Sequence, residues 1–73
     1  MGEVETVRKR VDRLRRDRGM TLEDLERASG VSRRTITRGI RTRSTLAALA
    51  YGLGVSVETL VAGTEKEEIW RYG

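Results

Sequence analysis

Apolar positions recur at helical spacing along most of the chain. Val4, Val7, Val11 and Leu14 fall on one face with charges filling the others, which predicts a first helix from Val4 to Arg18, stopped by Gly19. Thr21 stands before the next apolar run and Asp24 follows where a capping-box partner belongs, so a second helix is expected from about Leu22 to Ser29. Gly30 suits a left-handed turn, and Ser32 can cap a third helix from about Arg33 to Arg38 or Ile40. Gly39 is poor inside a helix, by roughly 1 kcal/mol against alanine, and better as its end, with Ile40 folding back beside Ile36. Arg41-Thr42-Arg43 then reads as a short basic connection. Ser44 or Thr45 is expected to cap a fourth helix whose Leu46, Leu49, Ala50 and Leu53 face the core, ended by Gly54. Ser56 caps a fifth, Val57 to Ala62, with Leu60 buried. No stretch alternates convincingly as a strand. The expected fold is all-α, a bundle of about five short helices.

The second and third helices carry the most information. Leu22, Leu25, Ala28, Val31 and Ile36 are spaced to seal one apolar wedge between them. The opposite face of the third helix carries Arg33, Arg34, Thr37 and Arg38. A helix with an apolar back and a cationic front is suited to a DNA major groove. Arginine offers a flat fork of donors that matches the O6 and N7 acceptors of guanine. Thr37 can meet a thymine methyl or donate to a base. Ser32, Thr35, Arg41 and Arg43 suit phosphates. For any single arginine, a phosphate contact is the alternative to base readout.

TLEDLERA followed by SGVSRRTITR resembles the helix-turn-helix of the lambda-repressor-like family, the Cro/repressor or XRE-type regulators. The likeness runs from about Leu14 to Leu60 and takes in LAALAYGLGVSVETL. It implies a central helix-turn-helix and base contacts from Arg33, Arg34, Thr37 and Arg38. Glu26 stands where alanine is usual, Leu22 where glutamine is, and Gly39 where a core aliphatic is. The connection after the third helix is a few residues shorter than usual.

Charge sharpens this picture. The net charge of +4 hides an asymmetry: 13 of the 15 Lys and Arg precede Ser44, and no acid lies between Arg27 and Arg43. The chain's end carries Glu58, Glu65, Glu67 and Glu68 against Lys66 and Arg71. A basic front with an acidic end suggests a polyanion partner on one face. The alternative is a solvated arginine-rich surface.

Composition limits the chemistry. There is no Cys and no His, so no thiol nucleophile, imidazole base or disulfide is available. No cluster has metal-ligand spacing, and Gly52-Leu53-Gly54 follows no strand, so it is not a dinucleotide loop. Glu23, Asp24 and Glu26 read as solvated or paired with Arg27. No catalytic residue, metal or cofactor is therefore expected. The longest apolar run is too short for a membrane and no signal peptide is evident, which points to the cytoplasm of a bacterium or of a phage-infected host.

The 73 residues make one domain, with 1–63 as the helix-turn-helix unit and 64–73 as a tail. Ile69, Trp70 and Tyr72 stand close together in the tail, as a weak homodimer contact, packed on the chain's own core, or as a disordered end. The length leaves no room for a ligand-sensing domain. The expected function is sequence-specific binding of double-stranded DNA by a transcriptional regulator, a repressor or Cro-like phage switch protein. The alternatives are an excisionase-like architectural factor and an antitoxin-type protein-interaction module.

Overall fold

A computed structural model describes residues 5–67. Five helices follow in order: α1 Val7–Asp17, α2 Leu22–Ser29, α3 Arg33–Arg38, α4 Arg43–Leu53 and α5 Val57–Val61. Among the described residues the only β-type pairing is an isolated parallel bridge between Glu5 and Thr64. The all-α expectation holds. Val4, Ile69, Trp70 and Tyr72 lie outside the described residues.

Each helix begins on a hydroxyl. Thr6, Thr21, Ser32, Thr42 and Ser56 have extended backbones, and each side chain accepts the N–H of the residue three positions on. Such a cap is worth about 1 kcal/mol, because a helix start leaves N–H groups without partners. Thr21 and Asp24 form the full capping box, with bonds of 3.0 and 2.9 Å.

Two boundaries differ from expectation. The first helix starts at Val7, because Thr6 caps it and Glu5 pairs with Thr64 instead. The fourth is capped by Thr42 and not by Ser44 or Thr45, which fall in its first turn. Thr42 has the extended backbone a cap needs (φ −123°, ψ 153°), and its Oγ1 accepts Thr45 N–H at 3.2 Å. Arg43 therefore opens α4 and is not part of the connection.

The α2–α3 turn is made as the sequence predicts. Gly30 is left-handed at φ 77°, and its N–H closes α2 on Glu26. Val31 and Ile36 are buried beneath it. Leu22 is only partly buried, and Ala28 is exposed, not part of the wedge.

The core centres on α4, which packs on α2, α1 and α5. Leu46 and Leu49 are fully buried, as are Leu25 of α2 and Leu60 of α5. Gly52 sets how close α4 comes to α2: a Cβ there would lie 2.8 Å from the Ser29 Cβ. Real side chains do not approach so closely, so only glycine fits.

A seam joins α1 to the residues after α5. The Glu65 carboxylate accepts the Val7 N–H at 3.1 Å, putting negative charge at an α1 N-terminus that has no acid in its own first turn. In return, Arg10 donates to the carbonyls of Thr59 (2.7 Å) and Ala62 (2.6 Å) at the end of α5. Glu5 holds both Arg10 and Arg13. The guanidinium groups of Arg13 and Arg10 bring the Glu5 carboxyl down to about 2.

Candidate nucleic-acid interface

Helix α3 has six residues, and Ile36 alone is buried. So short a helix is unstable alone, since nucleating a turn fixes many dihedrals for few bonds. It is held at its ends. Ser32 Oγ accepts the Thr35 N–H at 3.2 Å, and Gly39 (φ 127°) leaves the helix through a conformation L side chains rarely adopt. Glu26 reaches across the turn from α2 and accepts the Arg33 N–H at 3.1 Å. With the ends fixed, Arg33, Arg34, Thr37 and Arg38 all face solvent.

These four side chains are not equivalent. Arg34 and Arg38 have no ion-pair partner among the described residues. Arg33 has one, since its Nε stands 3.4 Å from Glu26 Oε1. The expectation that Glu26 would be solvated or paired with Arg27 is corrected here. Arg27 takes Glu23 one turn back, and Glu26 turns to α3. Thr37 Oγ1 donates to the Arg33 carbonyl at 2.8 Å, so its hydroxyl proton is already engaged.

A depression lies on each side of α3. One, of about 300 Å³, is lined by Thr35, Arg38, Gly39, Arg41, Thr42 and Thr45. It brings together three of the sequence candidates, Thr35, Arg38 and Arg41. Ser32 Oγ donates to Thr35 Oγ1 at 3.0 Å, so the Thr35 hydroxyl can pass its own proton to an outside acceptor. Arg41 is exposed on the connection, and Arg43 is exposed at the start of α4. The other depression, of about 310 Å³, is lined by Arg8, Lys9, Asp12, Leu22, Ile36 and Thr37.

Arg8 and Lys9 are cations that the sequence did not single out. Only the fold brings them to a depression shared with Ile36 and Thr37, so no local pattern reveals them. Arg15, by contrast, is folded inward. It binds Asp12 and donates to the Met20 carbonyl at 2.7 Å, with 16% of its side chain exposed.

Helix dipoles make the distribution of charge informative. Acids suit a helix N-terminus and cations oppose it, by a few tenths of a kcal/mol or more per residue. The first turns of α2 and α5 carry acids, Glu23 with Asp24 and Glu58. Those of α3 and α4 carry none and begin with arginine. At α3 the Glu26 carboxylate on the Arg33 N–H supplies the negative charge that the helix's own first turn lacks.

The family model of the Cro/C1-type helix-turn-helix DNA-binding domain matches residues 10–63. The chain belongs to this family. Comparison with curated proteins and with solved structures gives no match. This Cro/C1-type domain is a DNA-binding domain, and the matched span covers the helix-turn-helix and everything from Arg10 to the turn after α5. Arg8, Lys9 and Glu65 lie just outside it. Among the described residues, no helix is long and apolar enough to cross a membrane, and no acidic cluster is built to hold a metal ion.

Proposed function

We propose that this Cro/C1-type domain reads duplex DNA with α3 in the major groove and regulates transcription, as a repressor or Cro-like switch protein. The observation that carries this reading is the front of α3. Arg34 and Arg38 stand exposed without acidic partners among the described residues, on a helix that buries Ile36 alone. Such arginines gain most from acceptors supplied from outside, and guanine edges supply them in pairs. Arg33 and Thr37, both exposed, complete the base-facing set. Thr35 and Arg41 form the phosphate-facing edge, with Ser32 supporting Thr35 and Arg43 extending the edge into α4. Arg8 and Lys9 add cations on the far side of α3 and suit the opposite strand's backbone.

Selection of bound sequences from a random duplex pool, followed by salt titration on the recovered site, tests this reading. A defined motif should emerge. Arg41→Ala should lower affinity on all sequences alike and reduce the slope of log affinity against log salt by about 0.9. Recovery of no motif, with affinity indifferent to salt, would favour a protein-interaction module instead.

A further inference from the structure

The geometry points to Glu26 as a positioning residue that sets the base preference of Arg33, an inference that rests on the DNA reading above. Glu26 is the only acidic residue between Asp24 and Glu58, and it sits beside α3, which carries three arginines and no acid. A carboxylate there repels phosphate and weakens general attraction to DNA. Its two oxygens act on one residue. Oε2 accepts the Arg33 main-chain N–H at 3.1 Å, which fixes the root of the side chain. Oε1 stands 3.4 Å from Nε, the guanidinium nitrogen nearest that root.

A guanidinium has five N–H donors in a rigid fork. Paired on its Nε side, it keeps its terminal nitrogens for a second partner, and the ion pair biases the direction of that edge before DNA arrives. Preorganisation of this kind lowers the ordering cost of a long side chain on binding. The Arg33 side chain is 60% exposed, so the outer edge is accessible, while Glu26 is more covered at 35%. Arg34 and Arg38 have no such support among the described residues. Arg33 is therefore the arginine whose contact is most selective, and Glu26 is the reason. Glu26 itself need not touch DNA.

The test begins with the base pair at which Arg33→Ala relaxes choice. Binding is measured to the preferred duplex, to the same duplex changed at that pair, and to random duplex. The proteins are the parent, Glu26→Ala, Glu26→Gln, Arg33→Ala and the Glu26→Ala/Arg33→Ala pair, each checked by thermal melting. Glu26→Ala should reduce discrimination at that pair by on the order of tenfold. Its affinity for random duplex should stay the same or rise, because a negative charge has left the interface. A merely structural role would lower both affinities together. Glu26→Gln can still accept the Arg33 N–H, so it should fold as the parent does and lose part of the discrimination. In the Arg33→Ala background, removing Glu26 should not change discrimination at all. Full discrimination in Glu26→Gln and Glu26→Ala, or an equal loss with Arg33 already absent, overturns the assignment while the DNA reading stands. A parent with no preferred duplex overturns both.

Discussion

Helix α4 buries Leu46, Leu49, Ala50 and Leu53, while α3, four residues earlier in the chain, buries only Ile36. The two helices are stabilised in different ways. Most of α4's stability comes from area removed from water, at about 25 cal/mol per Å². The short α3 is fixed by a cap, a cross-turn carboxylate and a glycine exit. Nearly all of its surface is thus left for a partner. The contrast teaches that this fold separates what holds it together from what it offers, even between neighbouring helices.

The largest expected effect falls on the α4 side. Leu49 is fully buried, and Leu49→Ala should cost about 2–5 kcal/mol through lost transfer energy and a cavity. Domains of this length have total stability of only about 4–11 kcal/mol. Urea unfolding should show a much lower midpoint, and a loss under about 1 kcal/mol would mean that α4 is not the centre of the core.

Arg38→Ala probes the other side. It should cost about 1–3 kcal/mol of binding to the selected site, with the melting temperature unchanged. If melting falls as binding does, α3 contributes to the fold more than its burial indicates, and the separation fails.

The smallest effect lies at the α1 seam and depends on pH. The folded Glu5 carboxyl is held at about 2, below its ordinary 4.5, so the folded state binds this proton less readily than the unfolded one. Its contribution is complete above the unfolded value and is lost as pH falls toward about 2. Solvent screening limits it to on the order of 1 kcal/mol. Glu5→Gln should flatten part of the acid decline in melting temperature over that window. Asp12, held low by Arg15, and Asp24, held low by the Thr21 N–H, supply the remainder. An unchanged acid profile would show that the Glu5 pairs do not bear on folding.

What could be read from the sequence was what short-range chemistry decides. Thr21 with Asp24, Ser32, Ser56, Gly30, Gly39 and Gly54 each act within a few residues, and each does what its local pattern implies. The Thr42 cap was missed because Thr42, Ser44 and Thr45 all have capping chemistry, and only the backbone angles choose among them. Spacing alone turns Ala28 inward, whereas the fold leaves it exposed. Gly52 looked like part of a helix end, yet it is the point where α4 touches Ser29. On the front, exposure of Arg33, Arg34, Thr37 and Arg38 followed from helical phase. The Glu26 contact and the approach of Arg8 and Lys9 did not, because both depend on how separate helices are packed.

The seam has a topological consequence. Bonding Val7 to Glu65 joins positions 58 apart in sequence, so the described chain is nearly a ring. The two ends of the described chain therefore meet at the N-terminus of α1, the helix whose first turn carries Arg8 and Lys9.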